Sequence, residues 1–274
     1  RGNHFIDAAR SASRDQVMAN VVFPSFLAAG SHQIRGGIDL DRIGYEQDVR
    51  RTGYENYRWD NSLVQRVLYH GSGYVTQPNS QAALYVQDSW RPRSNVMVDA
   101  GLRSDWDRIV GRWTAAPRVG LAWRPSRWEN TKLTAGWGMV RDATNLRVFS
   151  RPLDQYATVT HFAPDGGEMR SDAVSLFTVL DHSLRSPFYR TWNAGVDQTF
   201  GSRISAKVSY VGRRGRRGFT YTNAIDPSGG QPPPEILQQF GLQLFDAVYE
   251  LGNLRRDIYD AVEAAVRVNL AKQY

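Results

Sequence analysis

The chain has 274 residues, 41% hydrophobic, with a mean hydropathy of −0.49, and no apolar run nears the roughly 18 to 20 residues of a membrane helix. The absence of cysteine excludes a disulfide framework and thiolate metal sites. A formal charge of +7 and a pI of about 9.8, carried largely by arginine, admit nucleic acid, anionic lipid or acidic ligands as partners.

The opening stretch "RGNHFIDAAR" lacks the basic, apolar and small-residue succession of a signal peptide. Either the chain is not exported or it begins inside a longer precursor. A first strand is expected near 16–27, weakened by Pro24, which cannot donate to a ladder. In "HQIRGGIDLD" (32–41), Ile34, Gly36, Ile38 and Leu40 then alternate with Gln33, Arg35, Gly37, Asp39 and Asp41. That strand is expected over 32–45, and the same period of two runs through 81–90, 96–108, 114–123, 131–141, 190–200, 204–214 and 258–270, giving about nine strands. Aromatics at 12% and 24 glycines fit an all-β chain.

The connections alternate in size. Short turns fall at Ala28–Ser31, 91–95, 124–130 and 201–203. Between them lie a tighter link near 110–113 and long loops near 46–80, 143–188 and 217–256, which hold "GSG", "PDGG", "PSGG" and "PPP". Short turns at one end and long loops at the other is the plan of an outer-membrane barrel. Trp90, Trp123, Trp128 and Phe200 sit at or beside the short turns, as an interfacial girdle would, although strand ends in any sheet can carry aromatics.

The two faces of the strands differ. Arg35, Asp39, Asp99, Arg103, Asp105, Arg118, Asp197 and Lys207 share one side. The other side mixes Val and Leu with Gly36, Ala100, Ala135, Ala194 and Ala264. A close-packed core needs large interdigitating side chains, whereas acyl chains conform to any surface. The apolar face is therefore expected to meet lipid and the charged face a wide, wet interior. The fold class expected is all-β, an antiparallel meander forming part of a transmembrane β-barrel. Nine is an odd count and bacterial barrels have even ones, so residues 1–274 read as an incomplete barrel.

No catalytic residue, metal site or cofactor is expected. His4, His32, His70, His161 and His182 have no metal-binding spacing. The pair Asp105 and Asp107 reads as a polar rim, and "GSGYVT" (71–76) falls short of a dinucleotide fingerprint. "RRGRRG" (213–218) is open to three readings: a solvated loop base, contacts to lipopolysaccharide phosphates or an anionic ligand, or nucleic acid. In "QPPPEILQQFGLQLFDAVYEL" (231–251), Ile236, Leu237, Phe240, Leu244, Phe245 and Val248 fall at helical spacing, which admits a short loop helix or a bland loop cluster.

The stretches "LYVQDSWRP" (84–92), "VDAGLRSDWD" (98–107), "PRVGLAWRP" (117–125), "TKLTAGWGMVRD" (131–142), "SPFYRTWNAGVDQTF" (186–200), "VSYVGRRG" (208–215) and "IYDAVEAAVRV" (258–268) resemble, in order and spacing, barrel strands of TonB-dependent outer-membrane receptors. The nearest subgroup is the Oar-like one, which carries a carboxypeptidase-regulatory-like domain ahead of the plug. The resemblance implies a 22-stranded barrel, plugged by an N-terminal domain, that takes up a large or scarce solute with energy from a TonB-type inner-membrane complex. The plug and accessory domain are not among these residues. The partners implied are outer-membrane lipid, lipopolysaccharide, the energy-coupling complex through the plug region, and a solute the sequence does not name. Nucleic acid is not among them. The ligand-binding residues stay unknown. Two other readings remain open: a passive porin, and a soluble all-β carbohydrate-binding module, which would bury its apolar face under a second layer.

Overall fold

The computed structural model describes residues 6–179, 184–225, 232–240 and 244–269. Its strands are β1 (Ile6–Val22), β2 (Phe26–Leu27), β3 (Ser31–Arg51), β4 (Tyr54–Tyr57), β5 (Leu63–His70), β6 (Tyr74–Arg93), β7 (Val96–Asp107), β8 (Arg112–Trp123), β9 (Thr131–Arg141), β10 (Tyr156–Phe162), β11 (Glu168–Thr178), β12 (Phe188–Phe200), β13 (Ile204–Asn223) and β14 (Leu244–Val268). Two short helices, α1 (Leu146–Ser150) and α2 (Pro234–Phe240), lie between strands. The sheet thus has fourteen strands rather than about nine.

The nine expected strands are those of one antiparallel meander, β1-β3-β6-β7-β8-β9-β12-β13-β14. Pro24 does break the first of them, but β1 starts at Ile6, ten residues earlier than the alternation alone suggested. The four expected short turns lie at one end, and the four-residue link 108–111 between β7 and β8 lies at the other. At the turn before β3, Gly30 takes φ 125°, and a Cβ there would meet the Arg91 carbonyl oxygen at 2.5 Å, so only glycine fits.

Strand parity separates the faces as the alternation requires. In register across neighbours, Val86 meets Leu102, and Leu121, Ala135, Ala194 and Tyr210 form one outward row. These side chains have no second layer over them among the described residues. Leu84 is 51% exposed, Leu102 46% and Val208 52%. That rules out the sandwich-like binding module, whose strands would bury this face. The apolar surface meets hydrocarbon.

The long strands reach well past the membrane. β14 has 25 residues, β3 21, and β6 and β13 20 each, against the roughly 9 to 11 that cross a bilayer. The packed core sits in these upper parts and in the loops between them. Val174, Leu176, Ile236 and Val248 form one cluster, and Phe149, Leu184 and Leu251 another.

The segments between the upper strand ends are built from strands of their own. β11 runs parallel to the start of β14, β10 joins β11 to β5, and β5 pairs β4. This satisfies backbone groups that a bare loop would leave to water. Among the described residues of the stretch expected to be helical or loop-like at 231–251, Pro234–Phe240 are helix. Phe245 and Val248 belong to β14, where pairing with β11 and β13 outweighs their helical spacing.

Among the described residues of the span, β1 pairs only β3, and β14 below Glu250 pairs only β13, so their sheet is an open arc.

Candidate functional site

The inner face of the arc is a trough of about 770 Å³. Parity brings its polar residues together. Asp39, Ala83, Asp105 and Thr114 form one inward row, and Asp99, Gly120, Gly136 and Asn193 another. Arg103 bridges two strands, donating through Nε to Asp105 at 2.6 Å and through Nη2 to Asp39 at 3.3 Å. Gln16 donates to the other oxygen of Asp39 at 2.8 Å, and Arg14 to Asp41 at 2.6 Å. Nearer the short turns, Arg118 donates to Gln87 at 3.1 Å and Ser89 to Asp99 at 2.5 Å. Asp197 stands in register between Lys132 and Lys207.

Partly exposed ion pairs of this kind add little to stability. Their effect is to make the inner wall a wettable surface with both signs of charge, suited to polar solutes or to a polar protein domain. Of the carboxylates here, Asp39, Asp41 and Asp105 accept from arginine or amide donors, and Asp99 from the Ser89 hydroxyl.

Asp107 is not a rim residue. It is buried, and its four contacts fix the link between β7 and β8. Oδ1 accepts from the backbone N–H of Ile109 and Val110 at 2.9 and 3.1 Å, and Oδ2 from Asn79 and Gln81 at 2.8 Å each. Asp105 and Asp107 therefore do separate work, one in the trough and one in a turn.

Above the trough the loops make a roof. α1, capped by Asn145, packs against β3 and β6, while Phe149 at its end meets Leu251 of β14. Those strands lie on opposite flanks of the arc, so this segment follows the chord between them. The roof is clasped to β3 by Arg51, which donates to both oxygens of Asp154 at 2.7 and 2.8 Å. Burial pushes the Asp154 carboxyl up, but the bonds from Arg51 and the Gln155 N–H, with the Arg51 charge, hold it below its ordinary value. Tyr221 donates to the Val148 carbonyl at 2.9 Å, and burial drives its phenol well above the usual range.

The expected polar-face residues do converge on the interior. The arginines of 213–218 lie within β13 and diverge: Arg213 covers the Tyr189 ring, Arg214 pairs with Asp260 over Trp192, and Arg217 lies over Phe188. His32 meets Asp88 at 2.6 Å and the Ala28 carbonyl at 2.9 Å, stacked between Phe26 and Trp90 beside a short turn. His70 meets Thr158, and His4 and His182 lie outside the described residues. Among the described residues no three His, Asp or Glu side chains gather. Sequence reading missed the Arg51–Asp154 clasp, whose partners stand 103 positions apart with no local signal. The turn at Asp107 had one, an Asp followed four residues later by Gly111 at φ 70°.

A family model described as an outer membrane beta barrel domain matches residues 110–274. No curated protein matches the chain. Among solved structures, the outer membrane transporter YddB from Escherichia coli matches with a TM-score of 0.62 at 15% identity, over 94% of this chain and 34% of its own. A point mutant of the ferric enterobactin receptor PfeA from Pseudomonas aeruginosa, in complex with enterobactin, matches at 0.63 and 14%, over 93% and 33%. The siderophore receptor PirA from Pseudomonas aeruginosa matches at 0.51 and 13%, over 97% and 48%. At these identities the likeness is one of fold, and the chain spans about a third of the length of the first two.

Proposed function

This chain belongs to the outer membrane beta barrel domain family, and from that premise we propose that it forms part of the wall of an outer-membrane receptor for energy-dependent uptake of a large or scarce solute. The outer membrane is its location. The observation that carries the reading is the pairing of a wide, charged inner wall with a roof of packed, interlocked loops above it. A wide interior that carries both signs of charge can seat a polar plug domain, and a structured roof can hold a solute before it passes inward. Such binding reaches the solute through many weak polar contacts, so no catalytic step enters.

Strands outside these residues would close the arc, because unpaired edges are not tolerated in hydrocarbon. Energy would come from an inner-membrane complex of the TonB type, acting on a plug that also lies outside these residues. The transporter and receptors that share the fold support this reading.

A passive porin would use the same wall with an open bore. Planar-bilayer conductance of the full-length protein in potassium chloride separates the two. A receptor gives a silent membrane that becomes conductive when the segment preceding the barrel is deleted. Steady open-channel steps from the intact protein would refute the receptor reading.

A further inference from the structure

The wall has a slot. β8 and β9 stay paired from Trp123 and Leu133 up to Arg118 and Gly138, and there the ladder stops. The next residue of β8 is Pro117, which has no N–H to continue it. Above that point β8 runs on beside β7 to Arg112, and β9 runs on beside β12 to Arg141.

The cavity between them holds about 400 Å³, and its charged lining is four arginines, Arg112, Arg141, Arg185 and Arg217, with no carboxylate among the lining residues. Trp113, Thr114 and Ser186 supply the rest of its polar and aromatic wall. Arg141 donates to the Ala115 carbonyl at 3.1 Å, while its Nε is buried without a partner. Arg141, Arg217 and Arg190 lie over the same Phe188 ring, at 5.0, 5.5 and 5.6 Å from its centre. Cations sharing one ring repel one another, and an anion between the guanidinium groups of Arg141 and Arg217, the two that line the cavity, turns that repulsion into attraction. Planar guanidinium forks match the oxygens of a phosphoryl group bidentately.

The height of the slot names the source. Arg141 is the eleventh residue of β9 and Arg112 the twelfth of β8, counted from the short-turn end. Roughly 9 to 11 residues cross the bilayer, so both arrive at the headgroups of the outer leaflet. Trp106 and Trp113, paired in register, mark that same level as an aromatic belt.

We propose that this slot binds a phosphoryl group of an outer-leaflet phosphoglycolipid. The proposal rests on the outer-membrane location and not on the transport reading, so a porin would carry the site equally.

The test uses the full-length protein in nonionic detergent, with lipid A and inorganic phosphate as separate probes and native mass spectrometry as the readout. The double variant Arg141→Gln with Arg217→Gln is expected to weaken lipid A binding at least about tenfold, since charged hydrogen bonds are lost. Arg112→Gln and Arg185→Gln change exposed side chains that leave the sheet intact. Each is expected to weaken binding several-fold, while the heat-dependent gel shift of the folded barrel stays unchanged. Inorganic phosphate at millimolar concentration should fail to displace lipid A from the wild-type protein. If the variants lose phosphate binding but keep lipid A, the lipid source is overturned and free phosphate takes its place. If the exposed-arginine variants bind both probes as the wild type does, the site itself is overturned.

Discussion

Leu102→Arg probes the assignment of the apolar face to lipid. Leu102 is the seventh of the twelve residues of β7 and projects outward between Val86 and Pro117. At about 3.3 Å per residue and a tilt of about 40°, six steps from Val96 raise it about 15 Å, half of the roughly 30 Å hydrocarbon core. An arginine near the midplane of a barrel's lipid face costs about 2 to 4 kcal/mol. The control is Gly120→Arg on the inner face, where an added Cβ would have Asp99 as its nearest neighbour at 3.9 Å. With room and an opposite charge beside it, that arginine is expected to cost under about 1 kcal/mol. Both variants are made in the full-length protein and compared by denaturant-induced unfolding from lipid vesicles, followed by tryptophan fluorescence. Equal stability of the two, or a Leu102→Arg loss below about 0.5 kcal/mol, would show that Leu102 faces water and would refute the assignment.

Three further outcomes are expected. Asp107→Ala leaves two backbone N–H groups and two amides without their acceptor, costing about 1 to 3 kcal/mol. Limited proteolysis should then cut near Ile109 and Val110, and an unchanged cleavage pattern would count against the turn-fixing role. Asp154, held below its ordinary value, keeps the Arg51 clasp above the unperturbed carboxylate pKa of about 3.9 and loses it as pH falls through the lower folded value. Protease sensitivity of 142–187 should therefore stay flat from pH 8 to 5 and rise only in stronger acid, whereas Asp154→Asn should raise it at neutral pH. Ile236→Ala removes a side chain 2% exposed from the roof cluster and should destabilise the roof by about 2 to 4 kcal/mol without altering span stability, as read by hydrogen exchange at Leu176 and Val248.

Much of the membrane wall is legible in the residues themselves. "NVMVDAGLRSDWD" (95–107) states its two faces by alternation, and Val98 and Arg103 lie on the sides that period two assigns them. The inner wall was legible as a set of charges but not as a network. That Arg103 reaches Asp39, 64 residues away, depends on β6 standing between their strands. The helix-like spacing at 231–251 misled beyond Phe240, because a short apolar-rich run fits a buried strand as well as a helix.

The sequence by itself determined which sides of the strands are greasy or charged, where the chain reverses, and which end carries the short turns. Those properties follow from side-chain direction and backbone preference between near neighbours. Only the tertiary structure decided that the loops interlock as strands into a roof, that Arg51 clasps Asp154, and that a proline opens an arginine-lined slot between β8 and β9. Each of these needs backbone or charge from segments far apart in the chain. Their partners come within reach only once the arc has curved.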